Sequence, residues 1–321
     1  MTIRPFRILL VFVTSLIPLA LLAVFVFLAR YSWPALTFNG WHFLVGRTWS
    51  LGNLYADPVT QRGVLVPIGA DYGILVFIAG TLLTSAIALV IAIPVSLGVA
   101  IFLAEGLRSR LKVPLSFVVE MLAAVPSVVY GLWGYAVLTP LVAHTLGPGL
   151  RAVLGFVPFF AGPIGSGYGL LAASIVLALM VVPIIAATVR DALARVPAET
   201  KEAAYALGAT HFEVVRRAML PTVRTNIIGA GILGLGRALG ETMAVLMVSG
   251  GALNYFPSNI YSPITTMASF IVSQLDSAMQ DPTGMAVRSL AEIALILFII
   301  SVVTNIIARL LTGASRNASA V

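Results

Sequence analysis

Two charged residues, Arg237 and Glu241, interrupt the otherwise uncharged stretch Asn226–Val248. If that stretch is an α-helix crossing a membrane, Arg237 stands eleven residues from either end, about 16 Å at 1.5 Å per residue. A guanidinium at that depth costs roughly 2.5–3.5 kcal/mol on insertion scales. Glu241 follows at i+4, where the two side chains can meet. A pair costs less than two separate charges, yet desolvation still argues against keeping it for stability alone. The chemistry indicated is electrostatic: a fixed positive charge beside a water-accessible path is what moving an anion requires, with Glu241 holding the arginine or gating it. A structural pair, or a tie to another helix, is the plainer reading, and the two roles can coexist. Thr242, beside the carboxylate, joins the candidate substrate pathway, as does Ser127 in another apolar stretch. Pro126-Ser127 reads first as a helix kink, where proline frees a carbonyl that a hydroxyl can satisfy.

Other chemistries find little support. Gly229-Ala-Gly231-Ile-Leu-Gly234 matches the dinucleotide pattern GxGxxG, but no βαβ unit surrounds it. Small residues in a membrane helix instead permit close packing, and Gly236 and Gly240 add a GxxxG spacing. The chain has no cysteine and three widely separated histidines, which leaves no thiolate chemistry and no zinc set; no metal, cofactor or catalytic residue is expected. No GxxxxGK[ST] loop accompanies the two lysines, Lys112 and Lys201, so any ATP must be bound by another chain.

A second constellation lies in the most polar part of the sequence, residues 190–224. Pro197 suits a first helical turn, and Glu199 and Glu202 favour a helix N-terminus. The helix should run to Leu207 and end at Gly208, which can take the left-handed conformation of a C-cap. Thr210 and Glu213 then form a capping box for a second helix, which Pro221 closes. Ala203, Ala204 and Ala206 keep the first helix narrow, so another protein's surface can approach its backbone. From residues alone, a solvated helical hairpin is an equal reading.

The elements that carry these residues follow from composition. Of 321 residues, 60% are apolar and 10% charged, against about 25% charged in soluble domains, and mean hydropathy is +1.03. This excludes a soluble enzyme, a disordered tail and a nucleic-acid-binding module. An all-α, polytopic membrane protein is predicted, with spans at 8–29, 72–104 (kinked at Pro94), 117–138, 167–189, 226–248 and 289–308. The first reads as an uncleaved anchor. Residues 140–167 read as an irregular loop, and Trp33, Trp41 and Trp49 suit the membrane interface. With the N-terminus inside, thirteen Lys/Arg face the cytoplasm and five the other side. That bias places both termini and the 190–224 loop in the cytoplasm. Residues 1–71 form an anchor helix and outer loop, 72–311 a transmembrane core, and 312–321 a tail.

Glu202-Ala203-Ala204, followed by Gly208 and Leu220-Pro221, resembles the EAA loop of binding-protein-dependent ABC importer permeases. Ala218 stands where that family has isoleucine. Gly236-Arg-Ala-Leu-Gly-Glu-Thr-Met-Ala-Val245 and Pro126-Ser-Val-Val-Tyr-Gly-Leu-Trp-Gly134 resemble helices of the phosphate-importer permeases, the PstC type in particular. The resemblance covers about residues 72–310. It implies a type I importer permease fold and an EAA loop at 195–221 that sits in a groove of a cytoplasmic ATPase, with Glu202, Ala203, Ala204, Gly208, Leu220 and Pro221 docking there. It further implies a heterodimer with a PstA-like permease, a PstB-like ATPase dimer and a PstS-like phosphate-binding protein in a bacterial inner membrane. Two rivals stay open: a PstA-like or other oxyanion or solute permease, and a channel or carrier that needs no ATPase. The docking loop, and the lack of the internal repeat common in carriers, weigh against the latter.

Overall fold

The computed structural model describes residues 3–107 and 109–318. Arg108 of the basic tally and residues 319–321 of the expected tail lie outside the described residues. In chain order the elements are α1 (Ile3–Tyr31), α2 (Trp33–Asn39), α3 (His42–Val45), β1 (Trp49–Ser50), β2 (Val59–Gln61), β3 (Val64–Val66) and β4 (Asp71–Tyr72). Next come α4 (Leu75–Ile101), α5 (Ser109–Ala124), α6 (Ser127–Leu154), α7 (Leu170–Ala194) and α8 (Ala198–Ala206). The chain continues with α9 (His211–Thr222), α10 (Arg224–Leu239), α11 (Met243–Val248), α12 (Met267–Ala278) and α13 (Met285–Ala318). Lipid offers backbone groups no hydrogen-bond partner, so long apolar runs must be helical. Among the described residues, α1, α4, α6, α7 and α13 are long and apolar enough to cross a membrane; the bent pair α9–α10 supplies a sixth candidate.

The chain forms two compact units, residues 1–75 with 271–300, and residues 76–270 with 301–321. In the first, β2 and β3 form a hairpin whose two-residue turn, Arg62-Gly63, has positive φ at both positions, the geometry that matches strand twist. β1 pairs antiparallel with β4. The Glu292 carboxylate of α13 is buried and accepts a hydrogen bond from Asn39 Nδ2 of α2 at 2.9 Å. The ring of Phe25 on α1 meets that of Phe298 on α13, with centroids 5.8 Å apart. The apolar side chains of α1 are otherwise largely exposed, as suits a helix whose solvent is lipid.

The second unit is built around α7. Apolar on all sides, α7 buries Leu170, Leu177, Val181, Ile185, Val189 and Leu193, as expected of a helix surrounded by others. Glycines set how closely its neighbours approach. A Cβ at Gly234 of α10 would lie 2.6 Å from Val181 Cγ1, and one at Gly134 of α6 would lie 2.8 Å from both Val176 Cγ2 and Val248 Cγ1. Gly80 of α4 lets the carbonyl of Thr265 approach to 2.3 Å of where a Cβ would stand. Thr81 Oγ1 there accepts from the Met267 amide at 2.9 Å. Thr81, Thr84 and Ser85 are buried and serve packing.

Three expected spans are redrawn. The third, 117–138, is broken at Pro126, whose φ of −57° and ψ of 139° leave the helical region; α5 ends before the break and α6 starts after it. Helix α6 then runs on to Leu154, through much of the expected irregular loop. Two π turns, Gly134–Leu138 and Val142–Leu146, widen the helix near Pro140 and Pro148, relieving the clash and lost hydrogen bond that proline brings. The fifth, 226–248, is broken at residues 240–242 into α10 and the short α11. Finally, α4 begins at Leu75, because Tyr72 is held in β4.

Candidate functional site

Breaking the fifth span changes the relation between its two charges. On one continuous helix Arg237 and Glu241 would face each other. With α10 ending at Leu239, Glu241 lies in the connection and turns its carboxylate toward the helix that follows. Its Oε1 accepts from the amides of Thr242 at 3.1 Å and Ala244 at 3.3 Å, satisfying donors that a helix start leaves orphaned. Among the described residues no ion pair joins Glu241 to Arg237. The expected i+4 pair is therefore corrected: the carboxylate caps α11.

Arg237 is exposed on α10, two residues before that helix ends. The Tyr130 hydroxyl of α6 donates to the Leu122 carbonyl of α5 at 2.8 Å. Tyr130 thus bridges the Pro126 break. Beside that break Leu122, Val125, Val129, Tyr130, Trp133 and Leu179 line an apolar pocket of about 290 Å³. Ser127 opens α6 and is half-buried; Thr242 is half-buried, its hydroxyl donating to Gly240 O at 3.3 Å. Helix α6 meets α11 at Gly131, where a Cβ would be 2.9 Å from Ala244 Cα. That contact brings the elements bearing Ser127, Tyr130 and Thr242 together.

The GxxxG pair is also revised. Gly234 is the glycine of α10 pressed against α7, whereas a Cβ at Gly236 would meet nothing nearer than Asn305 Nδ2 at 4.0 Å, and one at Gly240 nothing nearer than Gly236 O at 3.9 Å. Among the described residues nothing packs closely on the GxxxG face. Asn305, exposed on α13, is a polar neighbour that reasoning from motifs missed; a lone amide late in an apolar span was the available signal. Met243 is 43% exposed, because α11 starts a new helix with its own facing.

The second constellation folds as its spacing predicts. Helix α8 ends in a Schellman arrangement: Gly208 has φ of +82°, its amide donates to Tyr205 O at 2.9 Å, and the Ala209 amide donates to Ala204 O at 3.2 Å. The capping box is present, with Thr210 N donating to Glu213 Oε2 at 3.0 Å and Glu213 N to Thr210 Oγ1 at 3.4 Å. The Thr210 amide and, at 2.9 Å, the Thr210 hydroxyl both donate to the Glu213 carboxylate and, with Arg217 nearby, hold it below its usual range. Helix α9 contains a π turn, Val214–Met219, and runs one residue past Pro221 before a 70° bend into α10. Glu202, Ala203, Gly208 and Pro221 are exposed; Ala204 and Leu220 are half-buried. The large apolar side chains presented outward are Leu207, 89% exposed, and Phe212, 68% exposed. Inside the bend Thr188, Asp191, Arg195, Thr222 and Asn226 contribute to a polar cleft of about 450 Å³.

Charged residues outside the motifs fix this end of the bundle. Glu120 of α5 pairs with Arg190 of α7 at 2.9 Å, and Glu105 pairs with Lys201 of α8 at 2.6 Å. Among the described residues no group of His, Cys, Asp and Glu could hold a metal ion.

Comparison with known proteins is consistent across three measures. Residues 96–316 match the family described as binding-protein-dependent transport system inner membrane component. The phosphate transport system permease protein PstC 1 of Mycobacterium tuberculosis is 50% identical over 278 residues, covering 86% of this chain and 82% of that one. PstC of Haemophilus influenzae is 40% identical over 300 residues, covering 92% and 88%. A chain of the MetNI methionine ABC transporter in an inward-facing conformation superposes with a TM-score of 0.50 at 19% identity, over 75% of this chain and 94% of that one; this likeness concerns the fold.

Proposed function

Because this chain belongs to the binding-protein-dependent transport system inner membrane components, and among them to the PstC phosphate transport permeases, we propose that it forms half of an ATP-driven pathway for inorganic phosphate. It is a multi-pass membrane subunit of an ABC importer with the type I permease fold, and ATP hydrolysis belongs to a partner. An importer of this kind also works with a substrate-binding protein. In this reading those partners are a PstB-like ATPase dimer, a PstS-like binding protein and a PstA-like second permease. Both termini and the loop 195–221 face the cytoplasm.

The observation that carries the phosphate reading is the exposed Arg237 guanidinium on an apolar helix, with the nearest carboxylate in sequence engaged elsewhere. Had Glu241 paired with it, the local charge would cancel. With Glu241 capping α11, the positive field stays available to an oxyanion. A guanidinium presents a planar fork of donors that matches two phosphate oxygens at once, and in a low-dielectric setting that contact strengthens. Thr242 and Ser127 would add hydroxyl donors that let the ion move on. At the other end α8 and α9 would dock on the ATPase, with Glu202, Ala203, Ala204, Gly208, Leu220 and Pro221 as the docking set. The 70° bend would pass the motion to α10, the helix that carries Arg237.

The test is reconstitution of the complex in vesicles with the binding protein outside and ATP inside. Uptake of labelled phosphate that needs ATP is expected, with sulfate a poor competitor. Phosphate movement through vesicles holding the lone chain, without an ATPase, would overturn the reading.

A further inference from the structure

The two lysines of the chain, Lys112 and Lys201, both end at one turn. Helix α4 finishes in a π turn, Phe102–Gly106, whose Leu103 and Ala104 are buried. Lys201 Nζ of α8 meets Glu105 Oε1 on this turn at 2.6 Å across 96 residues of sequence, and the Lys112 ammonium of α5 donates to the Ala104 carbonyl. The side chains of Lys201 and Glu105 are only 25% and 18% exposed, so their attraction is screened less than that of a surface pair. Helix α8 itself buries none of its residues. Among the described residues, Lys201–Glu105 is the one side-chain ion pair or hydrogen bond from α8 to an element outside the loop. A π turn is a wider, weaker piece of helix that often marks a place where a helix adjusts.

We infer that Lys201 is a positioning residue: through Glu105 it passes the displacement of the docking loop into α4, a route separate from α7 and α10, between which the loop is strung. Lys112 holds the receiving turn from the other side. The inference rests on the import reading, and its test separates the two. A pull at α8 that travelled only along the chain would reach α7 and α10 and leave α4 to follow by packing. The ion pair instead makes α4 move with the loop.

The test uses the whole importer, with both permeases, the ATPase and the binding protein, in vesicles, and reads phosphate imported per ATP hydrolysed. Lys201→Glu and Glu105→Lys are each expected to lower that ratio at least about fivefold, the scale of a small coupling energy, while the double exchange recovers it and Lys201→Arg retains it. A ratio unchanged in both single reversals, or a double exchange as poor as the singles, overturns the inference. Should the reversals fail to assemble, a second measurement takes their place. The chain lacks cysteine, so Lys201→Cys with Glu105→Cys can be joined by a short bifunctional thiol linker. Transport is expected to survive, because loop and turn move as one body; its loss on linking overturns the inference. A wild-type complex that hydrolyses ATP without importing phosphate overturns the import reading and this inference with it, whereas failure of the strut alone leaves wild-type import intact.

Discussion

Arg237 and Glu241 divide their labour. The arginine is a field source exposed on α10; the carboxylate is a cap that starts α11. Their substitutions should therefore differ in kind. Arg237→Gln is expected to lower phosphate uptake about tenfold or more, the loss of one charge-assisted contact, while the complex still assembles; uptake assays alongside co-purification check both. Glu241→Gln keeps an acceptor for the Thr242 and Ala244 amides and should assemble normally. Glu241→Ala leaves those donors without it and should destabilise by about 1 kcal/mol, as cap removal does, measured by thermal unfolding of the solubilised complex. Equal loss of uptake in Glu241→Gln and Arg237→Gln would argue that the two side chains act as a pair after all.

The helices respond to their glycines in opposite ways. At Gly234 the space is taken by Val181 and Ile185, so Gly234→Leu must push α10 off α7 and should cost about 1–3 kcal/mol. At Gly236 the space is open, and Gly236→Ala should be tolerated in the folded chain. A loss of assembly with the second permease in Gly236→Ala would mark this open face as a contact with that subunit. In the loop, Gly208 sits at φ of +82° with its amide on Tyr205 O. Gly208→Ala should cost roughly 1 kcal/mol, and Gly208→Pro, which also removes the N–H, should uncouple ATP hydrolysis from uptake while leaving the chain in the membrane. Normal uptake in Gly208→Pro would count against the docking role. Each of these substitutions is read by paired ATPase and uptake measurements.

For the whole molecule, orientation is the property that ties the pathway to its energy source. Tyr55, in the loop after α3, is fully exposed, and Ala203 is exposed on α8. With no native cysteine to interfere, Tyr55→Cys should react with a membrane-impermeant thiol reagent added to intact cells. Ala203→Cys should react only after the membrane is opened. The reverse pattern would invert the topology and place the docking loop away from cytoplasmic ATP.

Membrane residence and the polar loop with its caps were both determined by the sequence, because each depends on local facts: run lengths of apolar residues, the offset between Thr210 and Glu213, a glycine where φ must be positive. Tertiary structure decided what depends on distant partners. Pro126 breaks the third span while Pro140 and Pro148 are absorbed by π turns in α6, and proline spacing alone does not distinguish the two outcomes. The i+4 spacing of Arg237 and Glu241 implies a pair only if the helix is continuous. The break at residues 240–242 hands the carboxylate to backbone amides, and α11 lies against Gly131 of α6, a residue more than a hundred positions away. Lys201 finds Glu105 across 96 residues, a separation at which sequence pattern carries no geometric information.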